Sequence, residues 1–162
     1  MTALRLNVIG CGRVGQTLAA LLHQQGQARV QDLHSRTLTS AQHAAQFVGA
    51  GTPVVALAHM RPADVWLLSV PDAQVAVLAQ ALAQAQGPKL SGAIVFHNSG
   101  FLDSAVLQPL QVLGCHVASA HPVLNFASPE TGVRQFKGTP CGLEGDAQAL
   151  AWLHASLSAV GG

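Results

Sequence analysis

The sequence predicts an α/β fold, a mostly parallel sheet with helices on both faces. Three observations carry this. Short apolar runs alternate with stretches of helical period along the chain. Several runs, such as Val65 to Val70 and Ala93 to Phe96, are apolar nearly throughout, as strands covered on both faces are. The first run, Leu6 to Ile9, leads straight into a glycine-rich turn that opens a helix.

Each element follows in order. Leu6 to Ile9 reads as a buried strand. Gln16 to Gln25 places Leu18, Leu21 and Leu22 on one side of a helix closed by Gly26. Arg29 to Leu33 predicts a second strand. Thr39 with Gln42 reads as a capping box for a helix through Phe47. Pro53 to Ala56 predicts a third strand and Val65 to Val70 a fourth, ending at Pro71. Asp72 is placed to cap a helix with Val75, Leu78 and Leu82 on one face. Ala93 to Phe96 and Val117 to Ala120 predict further strands. A stretch punctuated by proline and glycine follows, then a short strand at Gly142 to Leu143. Asp146 is placed to cap a last helix carrying Leu150, Leu153 and Leu157.

Composition bounds the function. The 162 residues suit about one domain. With 49% hydrophobic and only 9% charged residues, the chain has the makings of a core and not of a disordered segment. A formal net charge of +1 leaves no basic face for a nucleic acid. No run of 18 apolar residues is present, so no ordinary membrane span is expected. The apolar run before Gly10 is too short for a secretory signal. Cys11, Cys115 and Cys141 are odd in number and lack CxxC spacing, which fits a reducing compartment, so a cytoplasmic location is expected.

Gly10-Cys11-Gly12-Arg13-Val14-Gly15 is GxGxxG in the context that motif requires, between a strand and a helix. Gly10 would make the tight turn, Gly12 would let a pyrophosphate approach the backbone, and Gly15 would let helix and strand pack closely. The amides at the helix start would face the phosphates. The alternative is a glycine-rich turn with no ligand. An acid roughly 20 residues on would hold a ribose 2′-OH. Asp32 is near that spacing but lies inside the second strand. The strand ends in Leu33-His34-Ser35-Arg36, where a hydroxyl and a guanidinium suit a 2′-phosphate. NADP is therefore favoured over NAD. In the alternative, Arg36 is a solvated loop residue and Asp32 contacts the ribose. Arg13 would lie against a phosphate or face water.

Ligands of open parallel sheets bind beyond the carboxyl ends of the strands. Two clusters fall there. The loop Ser69-Val70-Pro71-Asp72 is expected to line the cofactor through Val70 and Pro71, with Asp72 a helix cap. The other cluster joins His97-Asn98-Ser99-Gly100 to Ser119-Ala120-His121-Pro122. Here Ser99 would orient a substrate oxygen and His121 would take its proton as hydride leaves carbon. The alternative is that these groups only hold loops. Asn125 and Phe126 would cover the pocket. No GxSxG elbow is present for a serine hydrolase, and no GKS or GKT for a P-loop. Cys115, His116 and His121 match no standard zinc spacing, so no metal is expected.

The stretches VIGCGRVG (Val8 to Gly15), HSRT (His34 to Thr37), ADVWLLSVPD (Ala63 to Asp72), VFHNSG (Val95 to Gly100), SAHPVLNF (Ser119 to Phe126) and CGLEGD (Cys141 to Asp146) span nearly the whole chain. Together they resemble the Rossmann-like domain of oxidoreductases that carry DUF2520, a domain of unknown function. Wider relatives are the pyrroline-5-carboxylate reductases, ketopantoate reductases and F420-dependent NADP oxidoreductases. The resemblance implies a Rossmann-like three-layer sandwich and a nicotinamide cofactor, NADP before NAD. It supplies no substrate. Ser99 and His121-Pro122 are also similar to the catalytic serine and histidine of prephenate and arogenate dehydrogenases. No lysine closely follows Ser99, and Val123-Leu124-Asn125 departs from the usual context, so the likeness carries the two residues and not the tyrosine-pathway activity.

Such relatives continue into a mostly helical second domain that closes the substrate cleft and builds a dimer. This sequence ends at Val160-Gly161-Gly162, where that connection is expected. Residues 1–162 thus read as one dinucleotide-binding domain. The expected function is hydride transfer to or from a carbonyl or imine carbon of a small-molecule substrate, with a homodimer as the expected assembly. The alternative is a non-catalytic dinucleotide-binding or redox-sensing module.

Overall fold

The computed structural model describes residues 2–162. Seven strands form one sheet: β1 (Leu4–Ile9), β2 (Ala28–His34), β3 (Thr52–Val54), β4 (Val65–Leu68), β5 (Ile94–His97), β6 (His116–Pro122) and β7 (Cys141–Gly145). Their spatial order is β3-β2-β1-β4-β5-β6-β7. All neighbours are parallel except β6 and β7, which are antiparallel. The helices are α1 (Arg13–Gln24), α2 (Leu38–Val48), α3 (Asp72–Gln86), α4 (Gln108–Gln111), α5 (Pro129–Gln135) and α6 (Ala147–Ala159). The expected α/β three-layer sandwich is the observed fold. No helix among the described residues is long and apolar enough to cross a membrane.

Side chains alternate across a strand, so a strand covered on both faces must be apolar at odd and even positions alike. In β4, Val65 and Leu67 join the core that holds Leu18 and Leu22 of α1, Ala44 of α2 and Leu153 of α6. Trp66 and Leu68 join the opposite core, with Val75 and Leu82 of α3 and Leu110 of α4. All four are fully buried. Each such aliphatic side chain contributes roughly 1.5–3 kcal/mol of burial free energy. The Trp66 indole N–H donates to the Ala63 carbonyl at 3.3 Å, so its one polar group is not left unpaired.

Helix starts differ from the expectations in ways the backbone explains. α2 is capped by Thr37, whose Oγ1 accepts from Ser40 N at 3.2 Å. Thr39 already lies inside the helix, so the box with Gln42 does not form. Pro71, not Asp72, is the N-cap of α3; Asp72 is its first residue and makes no capping bond. Its charge still lies in the first turn, where the helix dipole favours an anion. Asp146 does stand at the N-cap of α6, but its carboxylate accepts from Val117 N at 2.8 Å and Gln111 Nε2 at 3.1 Å instead. The expected fourth strand stops at Leu68, because Ser69 and Val70 already turn into the loop above the sheet. The third strand is Thr52–Val54, shifted one residue from the expected start.

α5 arises where only an irregular stretch was expected. Ser128 Oγ accepts from Thr131 N at 3.1 Å, and Pro129 occupies the first helical position. Gly132 lets α5 lie directly on α1: a Cβ there would collide with the Thr17 hydroxyl.

Candidate dinucleotide cleft and adjoining recess

Strand order reverses between β1 and β4: the chain leaves β1 for β2 and β3 on one side, then returns to β4 on the other. At such a switch point the loops above the two strands part and leave a crevice. Ser69 N donates to the Ile9 carbonyl at 2.7 Å and Gly10 N to the His34 carbonyl at 3.0 Å, which fixes the glycine loop over the sheet.

The three glycines occupy distinct environments. Gly10 has φ +94°, and a Cβ there would strike the Ser69 carbonyl. At Gly15 a Cβ would strike the Gly10 carbonyl and approach Ser69 Cβ at 3.1 Å, so this glycine sets the distance between α1 and the loop. At Gly12 a Cβ would meet nothing within 4 Å. Gly12 is exposed at the head of α1, whose amides open toward that space. Sterics therefore demand glycine at Gly10 and Gly15 for folding and make no such demand at Gly12.

The outer cleft has a volume of about 510 Å³. Gly10, Cys11 and Gly12 form one side, Ser35, Arg36 and Ser40 a second, and Val70 and Pro71 a third. Exposed Arg36 is its cation, and no carboxylate lines it. The α3 face opposite presents Gln74, Val77, Leu78 and Ala81, a mainly apolar wall that sequence reasoning missed. A signal for it was present: Val77 and Ala81 sit four apart, off the buried face, and Val77 is 71% exposed.

Asp32 does not reach this cleft. It is buried inside β2, with its carboxylate held by Arg61: Nη2 donates to Oδ1 at 2.6 Å and the Arg61 amide to Oδ2 at 2.7 Å. Its carboxylate faces Arg61 and not the cleft. His34 lies at the cleft edge with Nε2 donating to the Val55 carbonyl at 3.2 Å; partial burial lowers its pKa. Cys11 Sγ donates to the His34 carbonyl at 3.3 Å, and burial pushes the thiol up to about 12.

The inner cleft, about 480 Å³, continues past Gly12 along Arg13, Val14, Ser69 and Val70 to Asn98 and Phe126. Phe126 forms its outer wall as expected; Asn125 does not line it.

Ser99 and His121 are brought together, but in a separate recess of about 250 Å³ behind Asn98, with Ser119 and Glu144. Fully buried His97 organises the loop between. Ser99 N donates to His97 Nδ1 at 3.1 Å, so the ring proton is on Nε2, which donates to the Asp103 carbonyl at 2.9 Å. Ser99 Oγ accepts from Phe101 N at 3.1 Å and Leu102 N at 3.0 Å, leaving its O–H as the free function. His121 Nδ1 lies 3.4 Å from the Asn98 carbonyl, which can only accept, so Nδ1 is the donor and the neutral ring carries its lone pair on Nε2. The Cε1, Nε2 and Cδ2 atoms of the ring pack against Gly100, where a Cβ would come within 2.6 Å of Nε2. Among the described residues no three His, Cys, Asp or Glu side chains converge as metal ligands do.

A doubly wound α/β domain with a glycine-floored crevice at its switch point is the class this fold and site define. The chain belongs to the Rossmann-like domain family, whose model matches residues 1–122. It is similar to a solved "putative NADP oxidoreductase" from Bacteroides fragilis, at 26% identity and TM-score 0.82, over 98% of this chain and 58% of that one. Two further structures share the fold. Prephenate dehydrogenase from A. aeolicus, in complex with hydroxyphenyl propionate and NAD+, matches at 18% identity and TM-score 0.78, over 100% of this chain and 59% of that one. Synechocystis arogenate dehydrogenase matches at 22% identity and TM-score 0.78, over 97% and 57%. The chain thus spans under two thirds of the length of each. No curated protein sequence matches it.

Proposed function

We propose that this chain is the dinucleotide-binding domain of an oxidoreductase and that its cofactor is NADP. The observation that carries the proposal is the outer cleft: a glycine floor open at Gly12, Arg36 with Ser35 and Ser40 at its rim, and no carboxylate in its lining. A 2′-phosphate dianion gains charge-assisted hydrogen bonds from a guanidinium and hydroxyls, whereas a free ribose 2′-OH is held best by an acid. Asp32, the nearest acid in sequence, is committed to Arg61. The likeness to the Bacteroides fragilis protein supports the same reading.

In this reading Gly10, Cys11, Gly12, Arg13, Val14 and Gly15 hold the pyrophosphate, and Arg36 with Ser35 holds the adenine ribose phosphate. Val77 and Ala81 of α3, with Val70 and Pro71, cover the adenine. The nicotinamide would supply, when bound, a hydride donor or acceptor for a carbonyl or imine carbon of a small metabolite. The substrate side is the recess: Ser99 donates its O–H, and His121 Nε2 takes or returns the proton. The residues beyond this chain's span in its longer relatives would complete the substrate cleft and any dimer.

The test is calorimetric titration with NADPH and, separately, NADH. NADPH binding at least about tenfold tighter, a difference of about 1.4 kcal/mol, with the preference lost in Arg36→Ala, is the expected result. Equal affinities, or no binding of either, would overturn the cofactor assignment.

A second reading is a non-catalytic dinucleotide sensor. It is favoured by one observation: the inner cleft is lined by no acid or base except Arg13, while His121 sits behind Asn98. A panel of carbonyl and imine substrates showing no turnover despite tight NADPH binding would support it.

A further inference from the structure

The recess behind Asn98 has a chemistry of its own. Its lining is Ser99, Gly100, Leu102, Ser119, His121, Gly142, Leu143 and Glu144. These come from the β5 loop and from the antiparallel pair β6 and β7, where Ser119 faces Glu144 and His121 faces Gly142 in register. No lysine or arginine is among them, and Glu144 is the one carboxylate.

The side-chain hydrogen-bonding functions left over in the recess are mostly acceptors. Glu144 Oε1 accepts from Ser104 Oγ at 2.6 Å and Oε2 from Ser104 N at 2.7 Å. A carboxylate has about four lone-pair sites, so roughly two remain. Those two bonds also fix the carboxylate in place. Ser119 Oγ spends its proton on the Ser99 carbonyl at 3.4 Å and keeps its lone pairs. His121 spends its Nδ1 proton on the Asn98 carbonyl and keeps the Nε2 lone pair. Ser99 Oγ is the exception, with its O–H free.

An ammonium or iminium group carries donors and a positive charge, and no acceptor. A carboxylate or phosphate carries the reverse. We infer that the recess binds the cationic nitrogen of an amine or imine substrate, with Glu144 as the counter-charge and His121 Nε2 and Ser119 Oγ as acceptors. This rests on the proposed function, which makes the recess the substrate side, and it narrows the carbonyl-or-imine choice to the nitrogen compound. A volume of about 250 Å³ takes a head group of ring size.

The experiment is an NMR titration of the isotope-labelled chain with pyrrolidinium, and in parallel with isobutyrate, each with and without saturating NADPH. Pyrrolidinium is expected to shift the signals of Ser99, Ser119 and His121 in a saturable way, and isobutyrate to leave them in place. Because Glu144 is exposed, the pyrrolidinium affinity is expected to fall as salt rises, a wild-type readout that needs no variant. Glu144→Gln, checked for an unchanged amide spectrum elsewhere, is expected to weaken it about fivefold, which is about 1 kcal/mol. Saturable isobutyrate binding in the recess, or pyrrolidinium binding that ignores both salt and Glu144→Gln, would overturn the inference. NADPH shifts around Gly12 and Arg36 report the cofactor reading separately. Their presence without a pyrrolidinium response defeats only the inference, and the reverse pattern defeats only the cofactor assignment.

Discussion

The carboxylate of Asp32 is 1% exposed and lies 2.6 Å from Arg61 Nη2, with the Arg61 backbone amide on its other oxygen. Asn7, also fully buried, ties the same corner together: Oδ1 accepts from Asp32 N at 3.2 Å and Nδ2 donates to the Arg61 carbonyl at 2.7 Å. The pair anchors the loop before β4 to the inner strands and leaves the cleft free of acidic charge.

Asp32 is accordingly structural. Asp32→Asn is expected to lower unfolding free energy by about 1–3 kcal/mol, the loss of charge-assisted bonds to a buried acceptor. It is expected to leave the ratio of NADPH to NADH affinity unchanged. Urea denaturation and the two titrations check both halves; a changed ratio would return Asp32 to the ribose.

Gly10 and Gly12 separate folding from binding. Gly10→Ala puts a Cβ on the Ser69 carbonyl at φ +94° and is expected to cost about 2–4 kcal/mol of stability. Gly12→Ala meets no protein atom and is expected to cost under about 1 kcal/mol. It should nevertheless weaken NADPH binding at least about tenfold by filling the phosphate space. Thermal melts and calorimetry on both variants distinguish the two roles.

The Gly100 to His121 contact is the support of the recess. Gly100→Ala brings a Cβ to 2.6 Å from the imidazole, so the ring must move. Displaced His121 side-chain resonances and a stability loss of about 1–3 kcal/mol are expected, the cost of overpacking. An unmoved histidine signal would show that the loop yields instead.

Acid lowers stability through two groups. His34 has its pKa lowered by burial, so the unfolded chain takes up its proton first. Its contribution is present above about pH 6.5 and is lost as pH falls from there through the depressed folded value. Asp64 is held below the usual carboxylate range by the hydrogen bonds and charge of Arg5, whose Nη2 is 2.9 Å away. Its contribution is present above about pH 4 and is lost below that. Both residues of that pair are about a third exposed or more, so solvent screening keeps its contribution small. Urea midpoints across pH, repeated in His34→Gln and Asp64→Asn, are expected to lose the corresponding step.

The thiols are expected to be inert in the native state. Burial pushes Cys11 up to about 12 and Cys115 up to about 11, and it raises Cys141 as well. At pH 8 the thiolate fraction is correspondingly small. Alkylation by iodoacetamide should therefore be slow in buffer and rapid in denaturant, followed by mass spectrometry.

Local rules, legible in order along the chain, determined a great deal about this protein. Alternating apolar strands and periodic helices specify a parallel sheet wrapped on both faces. A glycine loop between the first strand and helix specifies where that sheet opens. Position after a strand end placed Arg36, Ser35, Val70 and Pro71 at the cleft, because a strand end in such a sheet has one exit; His121, expected just past its strand, lies inside β6, which runs on to Pro122 to pair with β7. α5 lying on α1 and the acceptor-rich recess were decided by tertiary structure alone. Glu144 reaches the recess through an antiparallel edge strand and is fixed there by Ser104, forty residues earlier in the chain. Asp32 turns from a ribose candidate into a buried anchor because Arg61, brought back by the crossover to β4, reaches it first. Charges choose partners by distance in space, and the order of residues along a chain does not fix that distance until the sheet has formed.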